Sequence, residues 1–194
     1  MKTIILTLAI IFQLSTAHAN VINFDDLSGN SDPVPDSYNG ITWNSANTTG
    51  VIDVSPYMDP NVNYTGIENN ALFNAFGYLN ANTTIIRMTD SSSFNFISGF
   101  WSEGIAGDVQ VQFEGYLNNQ KIYTSDSYDL NNISVSSIIL NWNQIDAFHI
   151  NSNAAIWIAD NLEITPSVSA VPLPGAALLL ISGILSLIGI RKTA

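Results

Sequence analysis

The chain has 194 residues, with 16 acidic and five basic side chains, a formal net charge of −11 and no cysteine. Such a negative balance repels phosphate backbones and anionic lipid heads, which excludes nucleic acid as an expected partner and favours divalent cations. Without cysteine there is no disulfide and no thiol nucleophile, so the core must hold the fold, with a metal as the other available brace.

At the N-terminus, Lys2 precedes an apolar run over 4–12, and Ala17-His18-Ala19 follows. A short apolar segment closed by Ala-x-Ala is the pattern of a secretory signal peptide. Residues 1–19 are read as one, with Ala17 and Ala19 as the small residues that signal peptidase requires and Asn20 as the first mature residue. Residues 20–166 then suit one domain. Across residues 20–170 the basic side chains are Arg87 and Lys121 alone, which against 16 acids leaves a net charge of −14.

No stretch of this domain has helical periodicity. Short β-branched and aromatic runs separated by Asn, Gly, Asp and Ser clusters predict strands over 21–25, 41–44, 71–74, 84–88, 94–101, 109–117, 122–127, 134–140, 147–150 and 155–164. The fold class is therefore all-β, an antiparallel β-sandwich. The clearest strand is Val109-Gln110-Val111-Gln112-Phe113-Glu114, whose strict alternation suits a sheet with one wet face, and the turn residues over 117–121 make it the first arm of a hairpin. Trp43, Trp101, Trp142 and Trp157 lie on predicted strands and are assigned to the core. Residues 45–69, rich in Asn, Thr, Pro and Gly, read as a long loop with at most one short strand. Their Tyr57 and Tyr64 are the candidate ligand-binding aromatics, because a sugar-binding ring must stand exposed among hydrogen-bonding groups.

His149 is the one histidine of the mature domain, so a Ser-His-Asp triad or a His-rich metal site would have to be built on it. No nucleophile-elbow motif accompanies it, and Ala147-Phe148 and Ile150 place it on a strand as an edge-facing structural histidine. The 16 acids could supply the carboxylate pair of a glycoside hydrolase, yet they are spread among Asn-rich turns, as solvating surface charges are. A noncatalytic protein is the expectation, and a secreted glycan-active hydrolase is the alternative.

Residues 167–175 form a linker in which Pro172 and Pro174 cannot sit inside a helix and so mark its start. The uncharged apolar run over 176–190 and the terminal Arg191-Lys192-Thr193-Ala194 are read as a transmembrane helix with a basic tail. Fifteen helical residues at about 1.5 Å each reach about 22 Å against a hydrocarbon core of roughly 30 Å, a minimal span. The basic end stays in the cytoplasm, which places everything before Pro172 outside it.

Pro172-Leu173-Pro174-Gly175-Ala176, Leu178-Leu179-Leu180, Ser182-Gly183, Leu187-x-Gly189-x-Arg191 and the basic end resemble the PEP-CTERM sorting signal of bacterial envelope proteins, in its Val-Pro-Leu-Pro form. The resemblance implies recognition by an exosortase-type membrane protease through Pro172, Pro174, Gly175 and Arg191, in a bacterium that makes exopolysaccharide. Asn23-Phe24-Asp25-Asp26-Leu27, the segment over 38–43, the segment over 71–77, Asn141-Trp142 and the segment over 159–164 resemble the β-sandwich ectodomain of many such proteins. Those ectodomains are similar in layout to jelly-roll carbohydrate-binding modules. This implies a jelly-roll-like fold and a structural calcium that ties the first strand to the last through Asp25, Asp26 and Asp160, whose hard oxygens suit that ion. It further implies an envelope-anchored precursor that becomes a surface or matrix protein, associated with exopolysaccharide or biofilm and able to bind carbohydrate.

Overall fold

The alternation over 109–114 builds what it predicts: Val109, Val111 and Phe113 are buried while Gln110 is exposed. Asn118 and Asn119 both take left-handed backbone angles, φ 52° and 62°, as a two-residue hairpin turn requires, and Asn tolerates them better than most residues do. The computed structural model describes residues 19–43, 49–57, 65–74, 83–104, 108–153 and 156–167. Ala17, Tyr64 and the sorting residues Pro172, Pro174, Gly175 and Arg191 lie outside the described residues, as does the predicted membrane span. Among the described residues no helix is long and apolar enough to cross a membrane.

The strands are β1 (Asn20–Ile22), β2 (Asn30–Pro33), β3 (Ile41–Thr42), β4 (Gly50–Asp53), β5 (Asn70–Phe73), β6 (Thr83–Met88), β7 (Phe94–Glu103), β8 (Val109–Leu117), β9 (Gln120–Leu130), β10 (Ser136–Ile145), β11 (Ala147–Ser152) and β12 (Trp157–Pro166). They form two antiparallel sheets. One runs β10-β7-β12-β5-β4-β2 with β1 also on β12, and the other runs β3-β6-β11-β8-β9. Because β5 pairs with Ile158 and Ala159 while β1 pairs with residues 162–164, β1 and β5 lie end to end along one side of β12.

The expected β-sandwich is thus observed, with local differences. β2 was not predicted; its Asn-Ser-Asp-Pro sequence is exposed at every position and forms the edge of its sheet. β4 is the short strand allowed within 45–69. β10 extends to Ile145 beyond the predicted end at 140, since Asn141 and Gln144 take positive φ at register shifts and the pairing with β7 continues through them. His149 is not edge-facing: β11 is the middle strand of its sheet, hydrogen-bonded to β6 on one side and β8 on the other.

The core lies between the sheets. Trp43, Trp101 and Trp157 are fully buried and Trp142 nearly so, as their strand positions predicted. From the five-stranded sheet, Phe148 stacks on Phe96 of β7 at 4.1 Å and 7°, and its ring also meets Trp142 of β10 at 6.0 Å. Phe113 meets Trp101 at 4.8 Å, and Trp101 meets Trp157 at 5.3 Å. A second, smaller cluster of Val54, Ile67, Ala71, Phe73 and Ile158 lies on the other face of the seven-stranded sheet, since Ile158 alternates with the core residues Trp157 and Ala159. Gly66, at φ +98°, presses against Phe100 beside this cluster; a Cβ there would stand 2.3 Å from the Phe100 ring, so the close approach requires glycine.

Candidate functional site

The two outer faces of the sandwich differ chemically. Segments around Val54 and Ile67 cover part of the seven-stranded sheet with apolar side chains, while the five-stranded sheet presents polar ones. Across β6, β11, β8 and β9 the register places Ile85, His149, Glu114 and Thr124 in one row, and Thr83, Asn151, Gln112 and Ser127 in the next. Each of these residues points away from the core because its neighbours Ile86, Phe148, Ile150 and Phe113 point into it.

An aromatic pair stands on this face. The Tyr116 ring stacks on the His149 imidazole at 4.2 Å and 28°, and its hydroxyl donates to Glu114 Oε2 at 2.8 Å. Lys121 Nζ donates to Glu114 Oε1 at 2.8 Å, so one carboxylate organises both donors. That Lys121 bond, helped by Tyr116, holds the Glu114 carboxyl below its usual range, and the same carboxylate raises the Tyr116 hydroxyl above its own. Burial and then the Arg87 charge lower the His149 imidazole, with Glu114 acting against them. Its Nε2 is buried and has no hydrogen-bond partner among the described residues. Thr83 donates to Asn151 Oδ1 at 2.7 Å alongside. This face offers a ring platform bordered by carboxylate, ammonium, amide and hydroxyl groups, the chemistry that saccharide hydroxyls and sugar C–H faces require.

The sequence-predicted acids lie elsewhere. Asp160 is 1% exposed and sits on β12 at a bulge, where Asn161 takes φ 48° and the register against β7 shifts. The bulge turns its carboxylate toward the segment over 65–69: Oδ1 accepts from Asn161 N at 2.6 Å and Oδ2 from Glu68 N at 3.3 Å, while Asn161 Nδ2 donates to Gly66 O at 3.1 Å. Burial pushes the Asp160 carboxyl up to about 7; the two backbone bonds oppose this, and the charges of Asp25 and Glu68 add to it. Asp25 therefore lies within electrostatic reach of Asp160, and its Oδ1 accepts from Asn70 N at 3.2 Å. Asp26 faces another partner, accepting from the Tyr38 hydroxyl, which also donates to Asn23 O at 2.7 Å. Burial and this carboxylate hold the Tyr38 hydroxyl well above its ordinary range.

The charge of Asp25 thus acts on Asp160, while that of Asp26 is not among the causes of the Asp160 shift. Among the described residues no group of three or more His, Cys, Asp or Glu side chains converges as a metal site. Tyr57, 70% exposed, ends a 3-10 turn at Ser55–Tyr57 that follows β4 of the seven-stranded sheet, whereas Tyr116 lies on the five-stranded one. A cavity of about 60 Å³ between Ile22, Ile41, Met88 and Ile164 has no carboxylate in its lining. Tyr116 and His149 were not singled out together from the sequence. The one local signal was the alternation of β8, which marks position 116 as a wet-face residue after the bulge at Gly115 and Tyr116.

No family model matches the chain, and no curated protein does. Among solved structures it is similar to the tandem CBM22-1-CBM22-2 domain of Paenibacillus barcinonensis Xyn10C, at 14% identity over 82% of this chain with a TM-score of 0.47. The chain spans 48% of that structure's length. It is similar also to the CBM22-1 xylan-binding domain of the same Xyn10C, at 13% identity over 79% of this chain and 97% of that one, TM-score 0.47. A further similar structure is CBM51 from Clostridium perfringens GH95 in complex with methyl-galactose, at 11% identity over 75% of this chain and all of that one, TM-score 0.34.

Asp160 generates a pH dependence. Its folded carboxyl titrates near 7 against an ordinary 3.8, so the folded state holds a proton that the unfolded chain releases, and stability falls as pH rises through that window. His149 acts oppositely below its ordinary 6.5, since a lowered imidazole adds stability as pH rises. The decline spans the interval from 3.8 to about 7, and denaturant melts in EGTA are expected to lose only its tail, roughly 1 kcal/mol or less, between pH 6.5 and 8, where Asp160 acts without that opposition. In Asp160→Asn this decline should vanish; an unchanged decline would assign it to other groups.

Proposed function

We propose that the protein is an exported, noncatalytic β-sandwich that binds saccharide on the outer face of its five-stranded sheet. The observation that carries this reading is the Tyr116 ring stacked on His149 amid Glu114, Lys121, Gln112 and Asn151. A sugar has apolar C–H faces and a rim of hydroxyls, so a ring platform with charge-assisted hydrogen bonds at its border matches both. Holding the ring in place through Glu114 lowers the ordering cost of binding. On a glycan array the full chain should retain at least one saccharide, and Tyr116→Ala should weaken that interaction about tenfold or more, the scale of an anchor aromatic. Equal binding by the variant would remove this face from consideration.

The envelope reading joins this one. A signal peptide ending at Ala19, a linker with Pro172, Pro174 and Gly175, and an apolar span closed by Arg191 support sorting by an exosortase-type enzyme after signal peptidase. The cell surface or the exopolysaccharide matrix is then where the domain works. Intact mass of the protein from its native cells is expected to correspond to a chain that begins at Asn20 and has lost the apolar tail. A mass that includes both segments would overturn the processing.

Calcium is proposed as a brace between Asp25 and Asp160, with backbone carbonyls completing its oxygen shell. The fit rests on Asp160: a desolvated carboxylate beside Asp25 and Glu68, with no cationic side chain among the causes of its shift, is stabilised by a proton or by a cation. Asp26 is left out because it faces the Tyr38 hydroxyl and its charge is not among the causes of the Asp160 shift. At a hundred times its dissociation constant a single calcium adds about 2.7 kcal/mol. Since the proton competes for Asp160, calcium should raise the melting temperature more at pH 8 than at pH 6. Superimposed melting curves in excess calcium and in EGTA at pH 8 would sink the site.

A further inference from the structure

The two basic side chains of residues 20–170 stand on the same sheet face. Arg87 lies on β6 in register with Thr42, and Lys121 lies on β9 opposite Tyr116. Arg87 points outward because Ile86 and Thr84 beside it point into the core, and its charge is felt at His149, directly beneath the Tyr116 ring. The two cations differ in their partners. Lys121 is neutralised by Glu114 at 2.8 Å, whereas the Arg87 guanidinium is exposed and makes no ion pair or hydrogen bond among the described residues. With 16 carboxylates in the chain, an unpaired arginine beside the ring platform is the opposite of what nonspecific pairing would leave.

The same face carries Glu114, already occupied by Lys121 and Tyr116, and Asp129 at its far end, which accepts from Gln110 Nε2 at 2.6 Å. Both of these acids are held by donors, Glu114 by a cation and Asp129 by a neutral amide, whereas the Arg87 guanidinium has no such partner among the described residues. Arginine presents a rigid planar fork that matches a carboxylate with two parallel hydrogen bonds. Resting on the saccharide-binding reading, we propose that the ligand class is an acidic saccharide, whose uronic-acid carboxylate pairs with Arg87 while a neighbouring sugar ring lies on Tyr116. The domain's charge of −14 opposes a continuous polyanion, so the fitting glycan carries spaced carboxylates. At physiological salt the screening length of about 8 Å confines the repulsion of remote acids, and a single carboxylate docked at Arg87 escapes most of it.

The test uses the full chain and two probes that differ only in charge: a glucuronic-acid-containing tetrasaccharide and the same tetrasaccharide with its carboxylates reduced to alcohols. Titration calorimetry on wild type should give a preference for the acidic probe of about tenfold, the worth of one bidentate charge-assisted contact. Arg87→Gln should bring the two affinities together, Arg87→Lys should restore part of the gap, and Tyr116→Ala should weaken both probes. Equal affinities in wild type, with Tyr116→Ala weakening both, would overturn acid recognition and leave the saccharide face standing. A preference that survives in Arg87→Gln, or that inorganic phosphate abolishes as readily as free glucuronate does, would also overturn it. Binding of neither probe by wild type would remove this ligand class together with the support it draws from the face.

Discussion

The ring of Phe148 is where the two sheets are joined. It reaches Phe96, Phe113 and Trp142 from the middle strand of the five-stranded sheet, and no cysteine exists to share the task. Aromatic side chains bury about 150–250 Å² each, and a chain without crosslinks must draw its cohesion from such area. The consequence is positional. His149, next in sequence, is forced to the opposite face of the sheet by the same alternation that drives Phe148 inward, and Tyr116 finds it there. The candidate ligand surface is thus the reverse side of the aromatic joint.

The two outer faces were given different fates by the connections between strands. The segment after β4 carries Val54, and the segment before β5 carries Ile67, and both fold back over the seven-stranded sheet to bury Ile158 and Phe73. Asp160 is drawn under the same cover, which explains why its carboxyl rises while most acids of the chain remain at the surface. The five-stranded sheet has no such apolar cover among its described neighbours, so its outward residues are those that water selects: Gln112, Glu114, Thr124, Asn151. A face left polar and regular is suited to an extended, hydroxyl-rich ligand. A face covered by loops is suited to a brace.

Much of the fold was legible wherever burial imposed a period on the residues. The β8 alternation, the Asn118-Asn119 turn and the four tryptophans could be placed from local sequence because each obeys a local rule. β2 could not, since an edge strand exposed on every side leaves no apolar mark, and Asn30-Ser31-Asp32-Pro33 reads as a turn. The central position of β11 was hidden for another reason: strand propensity says that His149 is extended but nothing about which strands flank it. The site was least legible. Tyr116 and His149 are far apart in sequence and meet only through the pairing of β8 with β11, and the openness of Arg87 depends on where Glu114 turns. The expectation that Asp25 or Asp26 meets Asp160 came from resemblance to jelly-roll modules and not from any pattern of spacing.

The pairing of β1 with β12 sets how the domain bears load. Asn20 is the register partner of Ile164, so the described chain enters and leaves the sandwich at the same end of one strand pair. A pull applied through those two ends would open the pair like a zipper, breaking its hydrogen bonds singly and at low force. A pull between the C-terminal end and a ligand held on the five-stranded sheet would instead cross the aromatic joint and load many contacts at once. The direction of a pull therefore decides whether it meets single hydrogen bonds or the packed rings between the sheets.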